Sequence, residues 1–192
     1  ILQIGHLERF NNAIQALEPF LSQPRFIESL RLAPFKLRGS DVNVVLDLMI
    51  HDIDIIQSFV NAEISDIRAN GASVLSPFID IANARIEFEN GCVANVTASR
   101  VSLKTERRLR IFQADSYIGL DLDHKNLVVH RKGKGEMFPG IPEITRKKQT
   151  FTKGDALLEE IKSFLSCITN GTTPAVTGEE GKRALATAIE IT

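Results

Sequence analysis

Between residues 44 and 59 the chain reads VVLDLMIHDIDIIQSF. Apolar side chains recur at Val45, Leu48, Met49, Ile55, Ile56 and Phe59, a spacing of three, four and seven that belongs to a helix rather than a strand. The pattern predicts a helix over residues 43–60. At about 100° per residue its apolar side chains wrap most of the circumference, and Asp47, His51, Asp54 and Ser58 fall together on one narrow polar stripe. Burying a carboxylate without a partner is costly, so this stripe has to face a solvated cavity or satisfy itself internally. Asp52 falls instead in the middle of the apolar face. It must either pair with a basic residue such as Arg9 or Lys36 or lie against polar backbone.

The rest of the pattern has an α+β order. Residues 2–8 read as a strand, and Asn11 is a candidate cap for a helix running through Ala13, Leu17 and Phe20 to about Ser22. Residues 26–32 look extended. After the central helix come β-like segments at 64–74, 79–89, 92–101, 107–113, 116–122, 126–131 and 146–152. ENG at 89–91 is a hairpin signal between two alternating runs, LDHKN at 122–126 a second turn, and GKGEMFPGIPE at 133–143 a loop rich in Gly and Pro. Two helices close the chain: one from Asp155 to about Thr169, ending near Gly171, and one from Glu179 onward, with Thr177 and Glu180 at capping-box spacing. The expected fold is therefore α+β, an open and largely antiparallel β-sheet with helices on one face. Ile79, Ile81, Ala84, Ile86 and Phe88, with Val93, Val96, Ala98 and Val101, put apolar or small side chains on both sides of parts of that sheet. The uncovered face predicts sheet-to-sheet pairing into a homodimer or homotetramer, or cover by another domain.

Length and charge narrow the class. The 192 residues suffice for one well-cored domain. A net charge of −1, from 23 basic and 24 acidic residues, makes no field that would recruit nucleic acid or an anionic membrane. RRLR at 107–110 and RKK at 146–148 then read as solvated strand faces or local anion contacts. No apolar run approaches the roughly 20 residues of a membrane span, and no signal peptide is recognisable. Cys92 and Cys167 lie far apart without a paired motif, which makes a reduced, cytoplasmic protein the expectation. The first residues, ILQIGHLERF, begin without Met in a strand-like run, and AIEIT breaks off inside a helical pattern. The expectation is a piece of a longer protein. The sequence contains no Gly-x-Gly-x-x-Gly and no Walker-type loop.

Candidate chemistry centres on Asp47 and His51, an i, i+4 pair whose side chains can touch. A carboxylate bonded to one imidazole nitrogen fixes the tautomer and raises the basicity of the other, as a general acid/base requires. The same spacing also serves as a plain structural hydrogen bond. His51 and Asp52 form an adjacent His-Asp doublet of the kind found in metal-dependent phosphohydrolases, but neighbours on a helix point about 100° apart. His6, His124 and His130 sit in segments read as strand or turn with no ligand spacing, so no metal is expected.

Four segments, IGHLERFNNAIQAL, DVNVVLDLMIHDIDII, FENGCVANVTAS and DALLEEIKSFLSCITNGTTPAVTGEEGKRALATA, together resemble the C-terminal part of the Gfo/Idh/MocA oxidoreductases. The resemblance implies a glyceraldehyde-3-phosphate-dehydrogenase-like C-terminal domain. Residues 1–192 would form the substrate-binding and oligomerisation domain, with 1–9 as the last strand or crossover from a missing N-terminal Rossmann domain that binds NAD or NADP. It puts the family's Asp-x-x-x-His on Asp47 and His51 as catalytic residues. The Lys of the family's Glu-Lys-Pro motif is not in this sequence, so the chain alone is expected to be inactive. It also places Arg9 and Asn11 near substrate and cofactor, and Asp54, on the stripe with His51, is a further candidate for substrate binding. A planar Arg fork suits a phosphate or carboxylate, while the plainer reading makes Asn11 a helix cap and Arg9 a surface charge. Relatives often carry glycines before the Asp where this chain has Asn43-Val44-Val45, which implies a differently shaped pocket mouth. The likeness is greatest to branches acting on nucleotide-linked amino sugars, so a sugar or sugar nucleotide is the expected substrate. A non-catalytic regulatory or assembly protein on the same fold, and a metal-dependent hydrolase using His51-Asp52, are the alternatives.

Overall fold

The protein is described here from a computed structural model covering residues 1–39, 41–151 and 154–192. Its frame is an eight-stranded sheet: β1 (Phe26–Leu32), β2 (Ile64–Ala72), β3 (Ile81–Phe88), β4 (Val93–Ser99), β5 (Glu106–Phe112), β6 (Ser116–Asp121), β7 (Asn126–Phe138) and β8 (Ile141–Thr150). The order is β2-β3-β4-β1-β5-β6-β7-β8. β1 runs parallel to β4, and every other neighbouring pair is antiparallel. The β3–β4 hairpin turns where the ENG signal places it: Gly91 adopts φ 81°, and the Asn90 side chain accepts from the Cys92 N–H.

One face of this sheet carries the core. Ala82, Ala84, Ile86 and Phe88 of β3, Ala94, Val96 and Ala98 of β4, Leu109 and Ile111 of β5, and Ile118 and Leu120 of β6 are all buried there. Small residues on β3 and β4 leave room for helix α2 (Ile50–Phe59) to lie close. Helices α3 (Ala156–Asn170) and α4 (Gly178–Ile191) end the chain. Gly171 closes α3 in the left-handed region and Thr177 and Glu180 form a reciprocal capping box, as the sequence predicts, while Asp155, expected as the first residue of its helix, is the cap and accepts from Leu158 N–H.

Four expectations need correction. Residues 1–6 are not a strand. Their backbone makes one hydrogen bond to a distant described residue, Ile4 N–H to the Val176 carbonyl at 3.0 Å, and Ile4 packs so tightly on Gly181 that a Cβ there would come within 2.7 Å. The first helix is cut short: α1 spans only Asn12–Gln15, and a 3₁₀ turn, Glu18–Phe20, follows, with Pro19 in its first turn. Proline has no N–H to continue an α-helix. Residues 133–143 are not a loop, because β7 and β8 run on as a long hairpin to a turn at Pro139–Gly140. Its glycines sit beside register shifts within the ladder, where glycine marks a bulge rather than an end. The expected strand end at residue 152 lies outside the described residues. The central helix, finally, opens with a π turn, Val45–Met49, in which the Ile50 N–H reaches back to the Val45 carbonyl.

The other face of the sheet is mixed rather than apolar. Glu28, Asn83, Asn95, Thr97, Arg108 and Arg110 line a groove across its centre, of about 340 Å³. Ile81 is 37% exposed on that side. No helix among the described residues is long and apolar enough to cross a membrane.

Asp52 is answered from the strand beneath it. β1 turns Ile27, Ser29 and Arg31 inward, and Arg31 grips Asp52 through Nε at 2.7 Å and Nη2 at 3.0 Å, with both residues 3% exposed. The pair is neither of the two suggested by the sequence, Arg9 or Lys36. A second buried ion pair, Asp80 with Arg100, fixes the loops at one end of the sheet. Asp80 accepts from the Val74, Leu75 and Ser76 N–H groups and from Arg100 Nε, while Arg100 donates to the Gly39 and Val42 carbonyls. Burial works against the Asp80 carboxylate, but these donors hold it far below the usual range. Its contribution to stability is therefore complete above the unfolded carboxylate pKa and is lost as the pH falls through its folded value.

Removing one partner of a buried pair leaves a bare charge. Asp52→Ala is expected to cost about 3–5 kcal/mol, measured by chemical denaturation. The double variant Arg31→Met, Asp52→Leu should recover most of that loss, since a packed apolar pair of similar volume removes both charges together.

Candidate functional site

The members of the polar stripe are held differently from the simple helical pairing. His51 sits one residue into α2, half-buried. Among the described residues no hydrogen bond joins Asp47 to His51, and His51 Nδ1 is buried without a partner. The π turn accounts for this, since winding through i→i+5 contacts changes the angular step between residues on either side of it. The Asp47 carboxylate lies instead against Gly39, where an added Cβ would come within 2.9 Å of Oδ1.

The group that lies against the His51 ring is His6. The two imidazoles are 5.7 Å apart between centroids and cross at 86°, edge to face. His6 is 6% exposed, and its Nδ1 also has no partner among the described residues. Arg9 is not a surface charge: its guanidinium forks onto Asp54, with Nε to Oδ2 at 2.7 Å and Nη2 to Oδ1 at 3.0 Å, and reaches Glu180 at 3.2 Å. Asp54 is 2% exposed. The two charged candidates for substrate binding, Arg9 and Asp54, therefore spend their charges on each other. Asn11 acts as the plain cap, accepting from Ala13 N–H and donating to the Leu122 carbonyl and to Glu8. Ser58 bonds to the Ile55 carbonyl. Beneath His51, Glu8 joins Arg31 at 3.2 Å and Arg107 at 2.9 Å.

This environment sets the chemistry of His51. Burial, then the positive charge of Arg31, then His6, push its pKa below the ordinary imidazole value, and Asp52 and Glu8 oppose them without prevailing. The ring is neutral at neutral pH, as a proton acceptor must be. Glu8 stays ionised below it: burial would raise its pKa, but Arg31 and Arg107 more than offset that. The sequence reading missed His6, Glu8 and Arg31. The signal for Arg31 was Asp52 itself, an acid on an apolar helix face that required a buried cation.

The His51-Asp52 doublet has both Asp52 oxygens bound to Arg31. Nor do the described residues suit a dinucleotide phosphate. The glycines with positive φ are Gly39, Gly91, Gly140 and Gly171; Gly91 and Gly140 belong to hairpin turns, and Gly171 closes a helix. Gly39 faces the Asp47 carboxylate, which repels a phosphate rather than cradling one.

Comparison with known proteins agrees with this frame. Residues 32–116 match the model of the GFO/IDH/MocA C-terminal domain. The chain is 40% identical over 192 residues to a UDP-N-acetylglucosamine 3-dehydrogenase of Acidithiobacillus ferrooxidans, covering 100% of this chain and 61% of that protein. A solved structure of the UDP-N-acetylglucosamine 3-dehydrogenase from that organism superposes with a TM-score of 0.91 at 40% identity, over 100% of this chain and 61% of the other. A scyllo-inositol 2-dehydrogenase (NAD(+)) of Bacillus subtilis is 29% identical over 196 residues, covering 92% of this chain and 55% of that protein. The chain thus spans about three-fifths of the length of these relatives. Residues 32–116, from the end of β1 to the start of β6, are thus a GFO/IDH/MocA C-terminal domain, and the likeness to the dehydrogenase of Acidithiobacillus ferrooxidans extends it through the whole sheet and its helices.

Proposed function

We propose that this chain is the substrate-binding domain of a cytoplasmic NAD(P)-dependent dehydrogenase acting on a nucleotide-linked sugar, with His51 as the general base. The observation that carries this reading is His51 itself: a half-buried imidazole kept neutral by burial and by Arg31, on a rigid helix in a chain 40% identical to a UDP-N-acetylglucosamine 3-dehydrogenase. Oxidising a sugar hydroxyl requires its proton to leave as hydride departs from the carbon, and a neutral imidazole beside that hydroxyl accepts the proton. The nicotinamide supplies the hydride acceptor, and its dinucleotide is held by a part of the protein outside this chain. Asp47 adds negative charge one turn before His51. The Arg31–Asp52 and Arg9–Asp54 forks hold the helix at a set height over the sheet, so the base does not drift from the substrate. Cys92 and Cys167 are free thiols, which suits a reduced compartment.

The uncovered sheet face is the surface we assign to self-association. Its groove mixes Arg108 and Arg110 with Glu28, Asn83 and Asn95, and a face bearing both charges can complement itself across a two-fold axis.

In the intact protein, His51→Ala is expected to lower kcat by roughly 10²-fold or more and leave NAD(P) binding nearly unchanged; unaltered turnover removes His51 from the mechanism. Asp47→Asn should slow turnover by less, because no hydrogen bond joins it to the ring.

The pH profile follows from the direction of the His51 shift. The ring is active when unprotonated, so kcat/KM should hold steady through neutral pH. It should fall tenfold per unit only below the ordinary imidazole value of about 6.5.

Light scattering on the 192-residue chain should report a dimer or larger at micromolar concentration, through an interface of at least ~1,000 Å². A monomer at that concentration excludes the sheet face as the association surface.

A further inference from the structure

The proposed base lacks the orienting carboxylate that its spacing from Asp47 predicts, so something else has to hold the ring. His51 Nδ1 has no partner among the described residues, and the aromatic contact on its ring is His6, at 5.7 Å and 86°. Edge-to-face packing of this kind favours one ring plane over others.

His6 is itself well fixed. Its N–H donates to the Ile4 carbonyl at 2.9 Å, and its carbonyl accepts from Arg9 N–H at 3.0 Å. Its Nε2 lies 4.0 Å from Asp54 Oδ1, and Asp54 is locked in the Arg9 fork. A continuous line of contacts therefore runs from His51 through His6 and Asp54 to Arg9 and on to Glu180.

We propose that His6 is the positioning residue of this site: it sets the ring plane of His51, and a charge on His6 opposes a proton arriving on His51. This rests on the reading of His51 as the base. Two cationic rings this close, in a site that water screens poorly, oppose each other, and the charge of His6 is among the influences that lower the His51 pKa. Apart from Asp47, whose carboxylate lies against Gly39, the surrounding charges are fixed in pairs. Glu8 and Arg9 flank His6 on its own segment, Arg31 rises from β1, Arg107 from β5, Asp47, Asp52 and Asp54 lie on the central helix, and Glu180 on α4. The functional consequence is that a proton arriving at His51 from a substrate hydroxyl is opposed by any proton already on His6.

NMR titration of the imidazole Cε1–H signals tests this without depending on catalysis. In the wild-type chain, His51 should titrate below the ordinary range. In His6→Asn it should move up by about one pH unit, because the charge that opposes its proton is gone. If His6→Asn does not fold, His6→Gln supplies the same comparison. A His6→Phe variant keeps an aromatic ring and removes the charge, and it too should uncouple His51. The proposal is overturned if His51 titrates as in the wild type in these His6 variants, since the contact is then packing alone. Turnover of His51→Ala in the intact protein decides the role of His51 separately, so loss of the coupling and loss of the functional reading are distinguishable results.

Discussion

The two buried guanidinium–carboxylate forks under the central helix are the constraint on which the rest of the site depends. Asp52 points down into the sheet and Asp54 sideways to the N-terminal segment, each held at 2.7 Å by one arginine. Charges this deep persist only when both partners are present and geometrically matched. α2 therefore cannot roll or slide on the sheet without breaking at least one fork, and His51, immediately before the two acids in the chain, inherits that constraint. Apolar packing alone tolerates small shifts; two forks in different directions do not.

These forks also tune the site they fix. Arg31 is the same residue that neutralises Asp52, joins Glu8 and lowers the basicity of His51. Its own pKa is held above the usual arginine value: burial works to lower it, and Asp52 and Glu8 outweigh burial. Stability and chemistry thus pass through one guanidinium. An Arg-to-Lys exchange at this position is not conservative, because a single ammonium cannot make the two parallel bonds to Asp52 while reaching Glu8.

Much of the frame was legible from pattern. The alternating strands, the ENG turn, the Thr177 cap and the Gly171 stop all follow from local chemistry that acts within a few residues. The failures have a shared cause. Residues 1–6 alternate like a strand but meet a helix and the Val176 carbonyl instead of a sheet edge. Residues 133–143 carry loop composition, yet the opposing strand rescues them into a hairpin. In both places the outcome depends on which neighbour is available, and local propensity carries no information about that.

At the site the division is sharper. The sequence by itself determined that one helix would carry Asp47, His51, Asp52 and Asp54 within two turns, that such a helix would be buried, and that each acid would need an answer. Spacing on a helix is a property of the chain, so those statements needed no fold. Only the tertiary structure decided the partners. Arg31 reaches Asp52 because β1 happens to turn its Ile27 and Ser29 side inward, although Phe26, Leu30 and Leu32 make the opposite side the more apolar. Arg9 reaches Asp54, and His6 reaches His51, across more than forty residues of chain. The π turn separates Asp47 from the imidazole it was spaced to meet. Partner choice for a buried charge is settled by whichever opposite charge the packed core brings within hydrogen-bonding distance, and that distance exists only once the sheet and the helix have met.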